Sequence, residues 1–191
     1  LFTFISCGGD DNTTNTSANK FIINGTTHQA KSASLGLDAG PSFNNQFSIV
    51  LTNALINVNT SNVPTISTNT TAAVAVFIKL GSTPLATEQA VINNITNTTH
   101  NLDGDSAAVI NIVNFNNTYT TAGIQYGELD ETGATLFEMN NIGNGTVTIN
   151  SFSANLTSRT GNVDFSFSFT DENGVPISGT YSGSFSIHDD R

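Results

Sequence analysis

The chain has 191 residues, with five Lys plus Arg against fifteen Asp plus Glu and a single Cys. A net charge of −10 at pH 7 without any cluster of Lys or Arg argues against nucleic acid as a partner and disfavours direct binding to anionic lipid headgroups, since both call for a basic stripe. One Cys excludes a disulfide within these residues and a Cys-based zinc centre. No apolar run reaches the roughly 20 residues that a membrane-spanning helix requires.

Hydrophobic residues make up 37% of the chain and charged residues only 10%. Disordered chains pair low hydrophobicity with high charge, so this composition points to a folded domain. A polar remainder of Asn, Thr, Ser and Gly suits an antiparallel sheet with a hydroxyl-covered outer face and Asn-Gly turns. Thirteen Phe supply large apolar area for its core without needing hydrogen-bond partners.

Leu1 to Cys7 (LFTFISC) is apolar up to the only Cys. Phe4-Ile5-Ser6-Cys7 resembles a bacterial lipobox, with a small residue before the Cys and Phe4 where Leu is usual. Gly8-Gly9-Asp10-Asp11-Asn12 is similar to the short acidic stretch after the acylated Cys of Bacteroidetes surface lipoproteins. The resemblance implies that residues 1–7 are the remnant of a signal peptide, that Cys7 carries the lipid, and that the protein is anchored at the outer-membrane surface. Residues 8–19 contain no large apolar side chain and read as a flexible polar tether. Residues 20–191 are expected to form the domain.

Phe21 to Leu37 predicts a strand, an Asn24-Gly25 turn and a second strand running through His28 and Ala30 to Leu37. Asp38 to Asn45 is a loop, and Phe47 to Val58 reads as strand on its β-branched content. Ser61 to Thr71 is a polar loop containing Pro64. Ala72 to Leu80 alternates at Val74, Val76 and Ile78 and predicts a strand, and Gly81 to Pro84 turns the chain. Thr87 to Ile95 is ambiguous, with Thr87 placed as a helix cap. Asn97 to Asp105 reads as loop. Strands are expected from Ala107, over Thr118–Tyr126 and over Ala134–Met139, and a turn over Asn140–Gly145. Thr146 to Thr157 predicts a strand whose phase slips between Ile149 and Phe152, the mark of a bulge.

The strongest pattern closes the series. Val163, Phe165, Phe167 and Phe169 share one face of a strand, because successive Cβ atoms point to opposite sides. Asp171-Glu172-Asn173-Gly174 reads as a hairpin turn, followed by Ile177, Tyr181, Phe185 and Ile187 in one phase. Gly179 and Gly183 share that phase, where a missing side chain leaves room for a bulky cross-strand neighbour. Short strands recurring along the chain predict an all-β fold, an antiparallel β-sandwich or partly closed β-barrel with the C-terminal hairpin central. Residues 21–35, 145–152 and 165–183 together resemble the small uncharacterised β-rich domains of Bacteroidetes lipoproteins. That resemblance implies a fold and carries no catalytic signature.

Candidate chemistry is sparse. His28, His100 and His188 are the only histidines and lie far apart in sequence, so no metal centre is expected. Asp103-Gly104-Asp105 and Asp171 to Gly174 lack the full calcium-loop pattern and read as turns. Glu128, Asp130, Glu131 and Glu138 form the densest acidic group, but a glycosidase needs two carboxylates at a set separation and aromatic rings to stack sugars. Trp is absent, and of Tyr119, Tyr126 and Tyr181 the last is in the core-facing phase. No G-x-S-x-G elbow is present. Thr96 with Thr98 and Thr118 with Thr120 are too isolated for an ice-binding array. Asp105-Ser106-Ala107 resembles the short acceptor for O-linked glycans in Bacteroidetes envelope proteins, which makes Ser106 a candidate modification site. The reading that follows is a non-enzymatic binding or structural module without cofactor, contacting a glycan or an envelope protein. The alternative is a hydrolase on an envelope or extracellular polysaccharide.

Overall fold

The structure is a computed structural model that describes residues 19–37, 46–58, 64–66, 72–81, 83–112, 137–171 and 174–188; at 57–58, 64–66, 103–112, 137–144 and 171 it describes the backbone alone. In chain order the elements are β1 (Lys20–Ile23), β2 (Thr26–Gln29), β3 (Ser32–Leu37), β4 (Gln46–Thr52), β5 (Ile56–Val58), β6 (Pro64–Ile66), β7 (Ala73–Lys79), α1 (Glu88–Asn94), β8 (Thr99–Ile112), β9 (Phe137–Asn155), β10 (Thr160–Asp171) and β11 (Pro176–His188).

The alternating aromatic pattern forms the expected hairpin. β10 and β11 pair antiparallel from Thr160↔Ser186 to Thr170↔Pro176, with Phe165 opposite Tyr181 and Phe169 opposite Ile177. Val163, Phe165, Phe167, Phe169, Tyr181, Phe185 and Ile187 are all buried in one core. Gly174 in the connecting turn has φ +78, a conformation that glycine adopts without steric cost.

From this hairpin the sheet curls round. Pairings run β11-β10-β9-β8-β7-β4-β3 and return to β11, which meets β3 in parallel through Ser186↔Ser34, Ile187↔Leu35 and His188↔Gly36. The result is a curled mixed sheet forming a partly closed barrel. Its narrowest seams are this three-pair junction and the four pairs that join β7 to β8. β1 occupies the remaining edge of β11, and β2 folds back on β1 through Asn24 (φ 49) and Gly25 (φ 77).

Several expectations are corrected. The strand expected to run from His28 to Leu37 is two strands. The Ala30 N–H bonds the Asn19 carbonyl while the Lys31 N–H bonds that of Thr52, so the chain leaves one neighbour for another between them. The stretch 47–58 likewise bends after Thr52, whose hydroxyl donates to the Ala54 carbonyl at 2.7 Å. The expected loop at 97–105 is mostly strand, because residues 99–104 pair with β9 and Leu102 is buried. The turn expected at 140–145 belongs to β9, which pairs there with β8 on one side and, from Ile142, with β10 on the other. Part of the loop expected at 61–71 is β6, which pairs with β5. The bulge is where the phase slip puts it: Val163 pairs Phe152 while Phe165 pairs Ile149, and Asn150 bonds the Asp164 carboxylate at 2.8 Å. The expected loop 38–45 and strand Thr118–Tyr126 lie outside the described residues.

The ambiguous stretch is a helix. Thr87 is its N-cap (φ −142, ψ 152), accepting from the Ala90 N–H at 3.1 Å, which satisfies one of the first-turn donors. The segment joins the end of β7 to the start of β8, so it crosses the barrel end where β3, β9 and β11 also finish. Val91 and Ile95 enter the same core as the aromatic hairpin, so α1 plugs that end.

β3, β4 and β7 are buried on both faces. Their inner face carries Leu35, Ile49 and Val76, and their outer face carries Ser34, Ser48, Val50, Ala73 and Ala75. β5 packs across β3 and β11 on that outer side, where the Ile56 N–H donates to Ser32 Oγ at 3.3 Å. In the opposite sector the described outer-face side chains of β8 to β11, apart from His188 at the seam, are exposed or half-buried.

Candidate functional sites

The three histidines do not converge. On the inner face one cross-strand row reads His100, Val147, Phe167, Gly179, Phe21 and His28. Five strand spacings at about 4.8 Å put some 24 Å of sheet between His28 and His100. His28 stacks on Phe21 with ring centroids 5.3 Å apart, and His100 Nε2 is buried without a hydrogen-bond partner. His188 lies on the outer face of β11. Among the described residues no group of three His, Cys, Asp or Glu is placed to hold a metal.

One pair distant in sequence does meet. Among the described residues the buried polar side chains are Ser34, Ser48, Thr52 and His188, all on the outer face of β3, β4 and β11. His188, Gly36 and Ser48 form one cross-strand row, and Ser34 is diagonal to His188. His188 Nδ1 lies 2.5 Å from Ser34 Oγ, and Ser34 Oγ donates to the Ser186 carbonyl at 3.4 Å. The assignment that satisfies both contacts has Nδ1–H donating to the hydroxyl, which leaves that nitrogen no lone pair to act as base. Ser34 is 0% exposed and His188 1%, so substrate cannot reach the hydroxyl. The pair fastens the parallel seam of the barrel.

A different arrangement covers the outer face of the opposite sector. Thr99, Thr148, Ser166, Thr180, Lys20 and Gln29 stand side by side on β8, β9, β10, β11, β1 and β2. Asn101, Thr146, Ser168 and Ser178 form the next row on the first four strands. The Thr99 and Thr148 hydroxyls are 2.9 Å apart. Lys20 is the one charged member of these two rows. Leu55 is the exposed large hydrophobic side chain among the described residues, so this surface offers hydrogen-bonding groups and no apolar patch.

The third feature is the tie between α1 and the β9–β10 turn. Arg159 has φ +53, an uncommon conformation for a residue with a side chain, and its carbonyl accepts the Ile187 N–H at 2.8 Å. Its Nη1 donates to Glu88 Oε2 at 2.8 Å. Arg159 Nε, Arg159 Nη2 and Glu88 Oε1 are buried without hydrogen-bond partners. Each such orphan costs about 1–3 kcal/mol, whereas a partly exposed ion pair contributes at most about 1 kcal/mol. Burial of Val91 and Ile95, at about 1.5–3 kcal/mol for a fully buried side chain, is therefore what holds α1 down.

Sequence reasoning found the polar strands and the Thr87 cap. It missed Ser34 with His188 and Glu88 with Arg159, whose partners are 154 and 71 residues apart. Ser106 falls within β8, between the pairings of Gly104 and Val109. Glu138 lies in β9, and Asp103 and Asp105 lie in strand β8 rather than in a turn. Tyr181 is core, as expected, with its hydroxyl donating to the Ser184 carbonyl at 2.5 Å. Burial pushes that hydroxyl above its ordinary pKa. Cys7, the tether up to residue 18, Glu128, Asp130, Glu131, Tyr119, Tyr126, Thr118 and Thr120 lie outside the described residues. No family model, curated protein or solved structure matches the chain.

Proposed function

We propose that this chain is a non-enzymatic cell-envelope lipoprotein, anchored through Cys7, whose domain binds a neutral glycan at the outer-membrane surface. The observation that supports this reading is the Ser/Thr/Asn face of β8 to β11. Hydroxyls and amides both donate and accept, which suits a polyhydroxylated polymer and gives nothing to a phosphate backbone. Rigid strands hold these groups in fixed rows, so little side-chain entropy is lost when a ligand orders them.

The full chain is to be titrated against neutral polysaccharides, beside a variant carrying Thr148→Lys and Ser166→Lys in the middle of the face. Binding weakened at least tenfold, with the sheet signal in circular dichroism retained, supports the reading. Absence of binding, or equal affinity for the two proteins, overturns the glycan assignment and leaves an envelope protein as the partner. Palmitate incorporation lost on Cys7→Ala tests the anchor separately.

The Ser34–His188 contact gives a hydrolase no support, since Nδ1 carries the proton and both side chains are buried. A fluorophosphonate that labels the protein but not its Ser34→Ala variant would move the assignment to that class.

A further inference from the structure

Glu88 grips Arg159 through one guanidinium nitrogen and leaves the Nε/Nη2 edge buried without a hydrogen-bond partner. That edge presents two parallel N–H groups, the geometry that takes a carboxylate by both oxygens. The barrel end crossed by α1 is apolar. Phe152 and Phe185 stack there with centroids 5.7 Å apart, and Leu85, Ile92 and Leu156 pack around the core.

We propose that α1 is a displaceable lid and that Glu88 stands in for the carboxylate of a long-chain, fatty-acid-type ligand. When α1 lifts, its own carboxylate leaves Arg159, and the carboxylate of the ligand takes the Nε/Nη2 edge. Two hydrogen bonds then replace one, and the buried orphans gain partners in ligand or water. The apolar chain of the ligand covers the surface that Val91 and Ile95 vacate.

Three costs coincide at this one place: a left-handed residue that is not glycine, two unpaired guanidinium N–H groups and an unpaired carboxylate oxygen. Such costs collect where a structure is held short of its most stable arrangement for a purpose. Arg159 is well placed for a receiving role. Its carbonyl is fixed to β11, so the guanidinium stays with the barrel when α1 moves.

The test is calorimetric titration of the full chain with dodecanoate, kept below its micellar concentration, and with dodecan-1-ol as the neutral control. Dodecanoate is expected to bind at least tenfold more tightly than the alcohol. Glu88→Gln, which removes the competing charge, should tighten dodecanoate at least fivefold. Arg159→Lys keeps the charge but loses the paired N–H edge, and should weaken binding at least tenfold. Hydrogen exchange at the Val91 to Asn94 amides should quicken with dodecanoate bound. Equal affinity for acid and alcohol, an unaltered affinity in Arg159→Lys, no binding to either the native or the Glu88→Gln chain, or unchanged exchange in α1 would each overturn the proposal.

Discussion

The Phe167 ring lies across the backbone of Gly179, and a Cβ built on that glycine would come 2.5 Å from the ring's Cζ. The two residues are directly paired between β10 and β11. Gly161 stands in the same relation to Phe185, whose Cζ would be 2.3 Å from an added Cβ. Glycine at these positions lets aromatic rings lie flat over the opposite strand.

Gly179→Ala should therefore destabilise the fold by about 1–3 kcal/mol through overpacking, and Phe167→Ala by about 3–5 kcal/mol through the cavity it leaves. Because the two changes share one contact, the double variant should be more stable than the sum of the single losses implies. Urea unfolding of the four proteins measures this, and strict additivity would contradict the geometry.

Arg159→Gly combined with Glu88→Ala, which removes both charges of the pair together, should raise the melting temperature. Glycine takes φ +53 freely, and loss of the guanidinium removes two buried orphan donors at about 1–3 kcal/mol each. Thr87→Ala in the same plug should instead cost about 1 kcal/mol, since the Ala90 N–H loses its acceptor. Thermal melts with opposite signs for the two variants are the expected result.

Tyr181 sets an alkaline limit. Burial raises its folded pKa, so the fold holds the proton more tightly than the unfolded chain does. The stability it contributes is complete below the unfolded value of about 10 and is lost as pH rises from there through the folded pKa. Melts between about pH 8 and pH 11 should show a fall that Tyr181→Phe removes. A fall of equal size in that variant would place its origin elsewhere.

Ser34→Ala should cost about 1–3 kcal/mol by leaving the buried His188 Nδ1 without this partner. His188→Ala should cost at least as much, with a marked coupling between the two in a double-mutant cycle. Independent effects in urea unfolding would show that the pair does not fasten the seam.

How much of this was legible follows from range. The aromatic hairpin was, because its alternation is local and Gly174 takes the positive φ of its turn. So was the bulge at Asn150, since a phase slip is written in the strand itself. The Asn140–Gly145 segment misled because Asn and Gly favour turns, whereas here pairing on both sides holds it extended. The break at Ala30–Lys31 has no local mark, as it depends on which strand each amide finds. Both buried polar pairs were invisible for the same reason. No pattern in residues 32–37 announces that a histidine 154 positions later will lie against Ser34.

The parallel seam also fixes an order of events. β1 and β3, among the first strands to be synthesised, take β11 as a neighbour, and β11 is made some 150 residues later. Until it arrives, both strands present bare edges, and the chain ends to be joined are separated by a long loop whose closure is entropically costly. During synthesis the chain is therefore an unclosed sheet, and helpers that shield strand edges have their moment before β11 emerges. Afterwards, Ser34 and His188 shut the ring.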